Sequence, residues 1–264
     1  MLLAIDSGNT NIKFGIFDGA DLRASWRLRT EVGRTSDQYA ALLHTLFGNE
    51  NFQFGDIDGV IVASSVPAAI PDLQRLSRTA FKREAIHVTP LSDLGLDVAY
   101  QPPTDVGADR LIDSLSAVHR YGAPCIVVDF GTGTTFNVIA PPAEPGGRPV
   151  YLGGAICPGI GLSLDALYAR AAKLSSVELV TPDRAIGNTT ARALQAGVLF
   201  GFAAQVDGLV SRILTELNAP RCPVIATGGH ATELIIRETK TITAVEPQLT
   251  LQGLQIAYGL LSAK

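Results

Sequence analysis

One short sequence pattern occurs twice in this chain, about half a chain length apart. Each copy consists of an apolar run, an Asp-x-Gly turn rich in Thr and Asn, and a second apolar run; the copies cover residues 2–17 and 125–139. This order is typical of a strand, a tight turn and a second strand. Each turn puts one carboxylate beside backbone N–H groups and hydroxyls, which together can hold phosphate oxygens and their accompanying cation. The duplication therefore predicts two related lobes with a nucleotide between them.

The composition limits the partners that this chain can have. It contains 264 residues, of which 47% are hydrophobic, and carries a net charge of −4 without a cluster of Lys or Arg. We therefore expect a packed core, and neither nucleic acid nor membrane as a partner. No basic leader precedes the first apolar run, and no apolar stretch approaches the roughly 20 residues that cross a bilayer. Three widely spaced cysteines, Cys125, Cys157 and Cys222, predict buried reduced thiols and a cytoplasmic protein.

Strand-like and helix-like segments alternate along the chain, which predicts α/β architecture. Because the Asp-x-Gly hairpins add antiparallel strands, the sheets should be mixed. The predicted strands cover 2–5, 14–17, 60–63, 125–128, 136–139, 150–152 and 224–226, and the predicted helices cover 37–47, 109–120, 163–174 and 190–217. A loop rich in Pro and Gly, residues 141–149, should join two of the strands. The lobe boundary is expected near residue 117, giving lobes 1–116 and 117–264.

The first turn has the composition of a phosphate-binding site. Gly8 permits a tight turn, residues 9–11 can donate hydrogen bonds to anionic oxygens, and Lys13 adds a positive charge. Asp6, at the end of a strand, could hold a Mg²⁺ ion or its waters. An ordinary Asn-rich hairpin turn is the alternative, but the second copy at residues 129–135 favours phosphate binding. The chain has no Gly-x-x-x-x-Gly-Lys-Ser/Thr sequence, so the turn is not a Walker P-loop.

A third candidate is the sequence Gly-Ala-Asp-Arg at residues 107–110, which follows two prolines that end an extended segment. Asp109 and Arg110 would lie in the first turn of a helix, where the helix dipole keeps a carboxylate ionised. The adjacent guanidinium could hold a carboxylate or a phosphate of a substrate. Helix capping or a surface ion pair is the alternative interpretation.

Three further segments contain glycines or hydroxyls at turns. Residues 153–161 combine glycines with a proline, which predicts close approach of the backbone to a ligand or to a second subunit. Residues 227–229, Thr-Gly-Gly, either face a flat ligand such as adenine or form a plain strand-to-helix turn. Residues 186–190 form a turn-to-helix junction whose hydroxyls can cap the helix or bind a ligand.

Taken in order, these segments resemble the type III pantothenate kinases, which belong to the superfamily of acetate and sugar kinases, Hsp70 and actin. The likeness runs essentially from end to end, and its motifs are residues 6–13, 62–67, 107–110, 129–135, 151–154, 158–159 and 226–229. The resemblance implies two ribonuclease H-like lobes and ATP-dependent phosphorylation of pantothenate, the first step of coenzyme A synthesis. It also implies a homodimer that needs Mg²⁺ and a monovalent cation, K⁺ or NH₄⁺.

The resemblance further implies roles for individual residues. Asp109 would be the catalytic base, and Asp129 would bind the monovalent cation. ATP would contact Asp6, Ser7, Gly8, Asn9, Thr10, Asn11, Ile12, Lys13 and Thr132. Pantothenate would contact Tyr100, Gly107, Ala108, Asp109, Arg110 and Thr190. Thr190 is chosen over Thr189 because the family pattern Ile-Gly-x-x-Thr fits residues 186–190.

Two positions depart from the family pattern: Gly133, where Ala is more common, and Asn137, where Asp is more common. Asn137 lacks the charge of aspartate, which weakens any claim that this position binds metal. The chain is thus predicted to be a cytoplasmic ATP-dependent pantothenate kinase. Two alternatives stay open: a kinase of the same fold that acts on another small alcohol or acid, and a non-catalytic nucleotide-binding accessory or regulatory protein.

Overall fold

The structure is a computed structural model that describes residues 1–171, 176–229 and 231–263. The chain divides into two compact units. Unit 1 contains Met1–Ser116 and the segment that begins at Gln248, and unit 2 contains Ala117–Pro247. Unit 2 is therefore one continuous stretch of chain, whereas unit 1 is assembled from both ends of the sequence.

The regular elements alternate between strands and helices along the chain. The strands are β1 (Leu2–Ser7), β2 (Asn11–Asp18), β3 (Asp21–Arg29), β4 (Gly59–Ser64), β5 (Ala85–Val88), β6 (Asp97–Val98), β7 (Cys125–Phe130), β8 (Gly133–Ala140), β9 (Val150–Pro158), β10 (Val224–Gly228) and β11 (Ala244–Val245). The helices are α1 (Ser36–Asn49), α2 (Ile70–Leu76), α3 (Ala108–Tyr121), α4 (Ile160–Arg170), α5 (Thr190–Glu216), α6 (Ala231–Ile236) and α7 (Leu249–Ser262). Short 3₁₀ turns lie at Phe54–Asp56, Pro67–Ala69 and Pro103–Asp105, and a π-helical segment at Ser77–Phe81.

Both units contain a mixed sheet with the same strand order and the same strand directions. In unit 1 the order is β3-β2-β1-β4-β5, with antiparallel pairs β1/β2 and β2/β3 and parallel pairs β1/β4 and β4/β5. In unit 2 the order is β9-β8-β7-β10-β11, with antiparallel pairs β7/β8 and β8/β9 and parallel pairs β7/β10 and β10/β11. Each sheet is ribonuclease H-like, so the predicted duplication and mixed sheets are confirmed.

Helix α1 covers one face of the sheet in unit 1. A capping box between Thr35 and Gln38 fixes the start of the helix. Its buried residues Tyr39, Leu43 and Phe47 recur every four residues and so form one apolar face. This face packs into a core with the buried side chains of β1, β2 and β4.

Helix α7 packs on the same sheet from the other side. A Cβ on Gly15 of β2 would lie 3.1 Å from the Leu251 side chain of α7. A Cβ on Gly253 would lie 2.4 Å from the carbonyl oxygen of Ile112, so α7 also approaches α3 closely. The sequence-based lobes assign residues 249–262 to the second lobe. The structure instead places this helix in unit 1, because its buried residues complete the core of the first sheet.

Helix α5 forms much of the core of unit 2. It is predicted over 190–217 and found at Thr190–Glu216, and its buried residues pack with those of β7, β8 and β10. With a mean hydropathy of 1.4 in an 18-residue window, it is long and apolar enough to cross a membrane by composition alone. The expectation that no apolar stretch reaches that length is therefore wrong. A helix buried in a protein core meets the same criterion, so this property gives only weak support for a membrane span.

Strand β9 accounts for part of the glycine-rich segment 153–161. Gly154 has a φ of 149°, and a Cβ there would lie 1.8 Å from the carbonyl oxygen of Phe136 on β8. The close approach at Gly154 is therefore to a neighbouring strand of the same sheet. Helix α4 follows β9, and residues 172–174 of the predicted helix 163–174 lie outside the described residues.

Contacts within unit 2 connect its two ends. Tyr121, at the end of α3, donates a hydrogen bond to Glu246, and the Arg120 Nη1 lies 3.1 Å from the Glu246 Oε2. Burial and the neighbouring Glu246 carboxylate raise the pKa of the Tyr121 hydroxyl, so it stays a donor at neutral pH. Because unit 2 begins at Ala117 and ends at Pro247, these contacts close the unit on itself.

Candidate active site

The first Asp-x-Gly turn joins β1 to β2. The Gly8 N–H donates to the Asn11 carbonyl at 3.0 Å, and a Cβ on Gly8 would crowd the same oxygen at 3.1 Å. Thr30, just beyond β3, donates its hydroxyl to the Gly8 carbonyl at 2.6 Å and so holds the turn in place. Asp6 is buried, and the Lys13 Nζ lies 3.9 Å from its Oδ2. Residues 9 and 10 are exposed, so the turn presents polar groups to solvent beside a carboxylate–ammonium pair.

The second Asp-x-Gly turn joins β7 to β8 and carries Asp129 at the equivalent strand end. The Gly131 N–H donates to the Gly133 carbonyl at 3.0 Å and closes a tighter turn. Thr132 is exposed at the tip, and its carbonyl accepts from the Gly159 N–H at 3.0 Å. A Cβ on Gly159 would lie 2.3 Å from the Thr132 carbonyl oxygen, so the start of α4 approaches this turn through a glycine.

The Thr-Gly-Gly segment at the end of β10 also packs against this second turn. The Gly229 N–H donates to the Phe130 carbonyl at 3.1 Å. Gly228 has a φ of 118°, and a Cβ there would lie 2.5 Å from the same oxygen. The approach of β10 to β7 thus explains the glycine at position 228, whereas a Cβ on Gly229 would lie 3.9 Å from the Phe130 carbonyl oxygen, an ordinary contact distance.

Helix α3 presents the third candidate. It begins at Ala108, so Asp109 and Arg110 lie in its first turn. The Asp109 Oδ1 accepts a hydrogen bond from the Arg110 backbone N–H at 2.9 Å, and a Cβ on Gly107 would lie 2.3 Å from that oxygen. Arg110 is only 9% exposed, which excludes a surface ion pair for this residue. The geometry therefore holds the Asp109 carboxylate over Gly107 at the positive end of the helix dipole.

Two further predicted contacts lie outside these segments. Tyr100 is half-buried between β6 and the 3₁₀ turn that precedes α3. Thr190 is the exposed first residue of α5, and Thr189 is its N-cap. The Thr189 Oγ1 accepts a hydrogen bond from the Arg192 backbone N–H at 3.2 Å. Capping therefore uses the hydroxyl of Thr189, while Thr190 stays accessible to a ligand.

The predicted site residues are divided between the two units. In unit 1, residues 6–13 share one hairpin and residues 107–110 share the start of α3. In unit 2, Asp129 and Thr132 share the second hairpin. The hairpins offer backbone N–H groups, hydroxyls and carboxylates that suit phosphate oxygens and cations.

Asp129 lies in a row of polar residues that the strand pairing brings together. It pairs with Thr135 on β8 and with Thr227 on β10. Thr227 is 1% exposed, and its hydroxyl has no hydrogen-bond partner among the described residues. The Asn137 Nδ2 lies 3.4 Å from the Thr135 Oγ1, and the buried Tyr151 hydroxyl donates to the Asn137 Oδ1 at 3.2 Å. In the sequence, Thr227 stands out only through the two glycines that follow it. Its alignment with Asp129 depends on the strand register, which the sequence alone does not give.

The site offers few groups for direct metal binding. Among the described residues, no group of three or more His, Cys, Asp or Glu is placed to hold a metal ion. A Mg²⁺ ion at Asp6 would therefore take most of its ligands from water and from phosphate oxygens, as Mg²⁺ commonly does beside nucleotides.

The three cysteines are free, and two of them are buried. Burial raises the pKa of the Cys125 thiol to about 12 and that of the Cys222 thiol to about 11. These two thiols stay protonated at neutral pH, so they are poor nucleophiles and poor metal ligands.

The sequence model of the family described as type III pantothenate kinase matches residues 2–212. A type III pantothenate kinase from Roseiflexus sp. (strain RS-1) is 48% identical over 258 residues, which cover 98% of each chain.

Solved structures share the fold at low sequence identity. A Baf family protein from Campylobacter jejuni, named as a transcriptional activator, has a TM-score of 0.62 and 18% identity over 99% of this chain and 100% of its own. The ROK hexokinase from Thermus thermophilus has a TM-score of 0.53 and 14% identity over 100% of this chain and 99% of its own. At these identities the two structures show the fold alone.

Proposed function

Because the chain belongs to the type III pantothenate kinase family, its reaction is the ATP-dependent phosphorylation of pantothenate, and we propose which residues carry it out. The reaction transfers the γ-phosphoryl group of ATP to the primary hydroxyl of pantothenate and begins coenzyme A biosynthesis. Phosphoryl transfer asks the protein for positioned phosphates, neutralised charge and a group that accepts the hydroxyl proton. The two hairpins and the start of α3 supply groups suited to these tasks.

We assign ATP binding to residues 6–13 and to Thr132. The exposed polar turn of the first hairpin can donate to phosphate oxygens, and the Lys13 ammonium attracts them. Asp6 would hold Mg²⁺ directly or through waters, and bound Mg²⁺ neutralises phosphate charge. Thr132, exposed at the tip of the second hairpin, offers a hydroxyl and a backbone N–H.

We assign Asp109 as the general base. Its Oδ1 is held by the Arg110 N–H at 2.9 Å, so the Oδ2 is the oxygen assigned to accept the proton of the attacking hydroxyl. The first-turn position places the carboxylate at the positive end of the helix dipole. Pantothenate would contact Tyr100, Gly107, Ala108, Asp109, Arg110 and Thr190.

The observation that supports these roles most directly is the Asp109 carboxylate held over a residue without a side chain, at the start of a helix. A coupled assay for ADP release tests the reaction, with pantothenate compared against other small alcohols and acids. Preferential turnover of pantothenate is the expected result. Faster turnover of another acceptor would identify that acceptor as the substrate. ATP binding without turnover would indicate a non-catalytic nucleotide-binding protein instead.

We also propose that the enzyme uses K⁺ or NH₄⁺ at Asp129. The residues fit such an ion, since the carboxylate pairs in the sheet with two threonines, and the buried hydroxyl of Thr227 has no hydrogen-bond partner in the part of the chain that the structure describes. A bound cation adds one positive charge beside the β7–β8 turn. Asp129→Ala should abolish the stimulation of turnover by K⁺ and weaken ATP binding. If K⁺ stimulates this variant as strongly as the wild type, the cation binds elsewhere.

A homodimer is the proposed assembly. Between residues 197 and 208, the exposed positions of α5 are all small residues: Gly197, Gly201, Ala204 and Gly208. A Cβ on any of these three glycines would meet no atom of the described residues within 4 Å, apart from the nearby helix backbone. Such a face lets a second helix approach closely, and C₂ pairing is the commonest oligomer symmetry. From the net charge of −4 we further propose a cytoplasmic protein without a nucleic-acid or membrane partner.

A further inference from the structure

Hydrogen bonds from within unit 1 hold the carbonyl oxygens of the first Asp-x-Gly turn. The Gly8 carbonyl accepts from the Thr30 hydroxyl at 2.6 Å, and the Thr10 carbonyl accepts from the Thr30 N–H at 2.9 Å. The Asn11 carbonyl accepts from the Gly8 N–H at 3.0 Å. Because Thr30 directly follows β3, one residue at the end of the third strand fixes two peptide groups of the turn.

The hydrogen bond from the Thr30 hydroxyl determines which way the next N–H points. The peptide bond between Gly8 and Asn9 is trans, and the C=O and N–H of a planar trans peptide point in opposite directions. Since the Gly8 carbonyl faces Thr30, the Asn9 N–H faces away from it. Asn9 is exposed, so this N–H lies on the side of the turn that is open to a ligand.

The Gly8–Asn9 peptide needs such a contact to keep its orientation. Gly8 has no Cβ, so its backbone can rotate more freely than that of any other residue type. Rotation of the peptide would direct a carbonyl oxygen toward a bound phosphate. Carbonyl oxygens repel phosphate oxygens, whereas N–H groups in a turn attract them. The Thr30 hydroxyl opposes this rotation by holding the Gly8 oxygen.

The second turn has the same backbone contact but lacks the hydroxyl. Gly159 directly follows β9, as Thr30 directly follows β3. The Gly159 N–H donates to the Thr132 carbonyl at 3.0 Å, which is the counterpart of the Thr30 N–H contact. A Cβ on Gly159 would lie 2.6 Å from the carbonyl oxygen of Gly131, the glycine of the second turn. The hydroxyl contact to the turn glycine therefore belongs to the first copy.

We propose that Thr30 is a positioning residue of the ATP site. Its hydroxyl holds the Gly8–Asn9 peptide in the orientation that presents the Asn9 N–H to a phosphate oxygen of ATP. This inference rests on the proposed binding of ATP by residues 6–13. It adds a residue of the third strand that acts through the turn without touching the nucleotide.

ATP affinity in the absence of pantothenate tests this role. The midpoint of thermal unfolding is measured against the concentration of Mg²⁺–ATP, which stabilises the folded state as it binds. Thr30→Val keeps the shape and the backbone N–H but removes the hydroxyl, so the apparent Kd for ATP should rise at least tenfold. The Kd for adenosine, which has no phosphate, should stay within twofold of the wild type. Thr30→Ser restores a hydroxyl and should bring the Kd for ATP back to within threefold of the wild type.

Thr79→Val is the matched control. The Thr79 hydroxyl also donates to a backbone carbonyl of unit 1, that of Arg75 at 2.9 Å, but it lies in the π-helical segment Ser77–Phe81. Its variant should keep the wild-type Kd for ATP within twofold. Wild-type ATP affinity in Thr30→Val would overturn the proposal, and so would an equal loss of adenosine affinity or a failure of Thr30→Ser to restore ATP binding.

Thr30→Gly gives the first copy the residue that the second copy has at this place. The N–H contact to Thr10 remains possible, so the variant should fold and should lose as much ATP affinity as Thr30→Val. In steady-state kinetics the KM for ATP should rise at least tenfold in both variants, while the KM for pantothenate stays within twofold. A folded Thr30→Gly with wild-type ATP affinity would contradict the proposed role. Pantothenate turnover by the wild type judges the kinase reaction separately, because ATP affinity is measured without an acceptor.

Discussion

Asp109 is positioned by a neighbour that has no side chain. The carboxylate folds back over Gly107 and accepts a hydrogen bond from the Arg110 N–H. Any Cβ at position 107 would occupy the volume that the Asp109 Oδ1 now fills. The geometry of the proposed base therefore depends on a residue that takes no part in the chemistry.

Gly107→Ala should lower kcat by about 10²-fold, because misplacing a reacting group by about 1 Å has an effect of that order. The new Cβ would lie 2.3 Å from the Asp109 Oδ1, and the carboxylate can rotate away, so the unfolding midpoint should change little. Gly48→Ala is the control, since a Cβ there meets nothing within 4 Å. A Gly107→Ala enzyme as fast as this control would show that the carboxylate does not need its present position.

Asp109→Asn should lower kcat by about 10²–10⁴-fold, since the amide keeps the shape but cannot accept the proton. Asp105→Asn, an exposed carboxylate in the preceding 3₁₀ turn, should retain the wild-type rate. Steady-state kinetics with saturating ATP and pantothenate measure both. Activity within threefold of the wild type would remove Asp109 from the role of base.

At the scale of elements, the placement of α3 depends on α7. The backbone of α3 at Ile112 approaches α7 through Gly253, one turn along from Asp109. A helix from the far end of the sequence therefore supports the helix that carries the proposed base.

Gly253→Ala should destabilise unit 1 by about 1–3 kcal/mol, because the added methyl overpacks a fixed backbone contact. The Cβ would lie 2.4 Å from the Ile112 carbonyl oxygen, and kcat should fall as α3 shifts. Gly259→Ala in the same helix meets nothing within 4 Å and should be neutral or stabilising by up to about 1 kcal/mol. Urea unfolding measures the stability of both variants. Equal stabilities would show that the contact between α3 and α7 accommodates an added methyl group.

Local sequence patterns predict elements whose apolar residues are continuous or regularly spaced. Strands β1, β7 and β10 have nearly continuous buried runs, and the buried residues of α5 recur at helical spacing. Strand β3 lacks an apolar run, because exposed charged residues such as Arg23 and Arg27 alternate with half-buried ones. Strand β5 has only four residues, too few for a clear pattern. The register that aligns Thr227 with Asp129, and the unit to which α7 belongs, depend on contacts between distant segments. Local periodicity does not contain that information.

At the scale of the whole molecule, the exposed small residues of α5 bear on whether the enzyme is a monomer or a dimer. A helix packed on the sheet on one side and lined with glycines on the other gains nothing from those glycines as a monomer, because glycine weakens a helix by about 1 kcal/mol relative to alanine. Close packing against a second copy in the proposed homodimer would account for them.

Gly201→Glu should therefore convert a dimer into a monomer, because two charged side chains would meet at the α5 contact. Light scattering at micromolar concentration should give about twice the 27.8 kDa chain mass for the wild type and one chain mass for the variant. Gly48→Glu, at another exposed glycine with open space around it, should remain dimeric. A monomeric wild type that turns over pantothenate would rule out the dimer.

The split composition of unit 1 also determines which unit a shortened chain can complete. The sheet of unit 1 is covered on one side by α7, which follows the whole of unit 2 in the sequence. Unit 2 is a continuous insertion closed at its ends by Glu246, so all of its elements lie within one stretch of chain. A chain shortened after Pro247 would therefore contain the complete second unit and an incomplete first one.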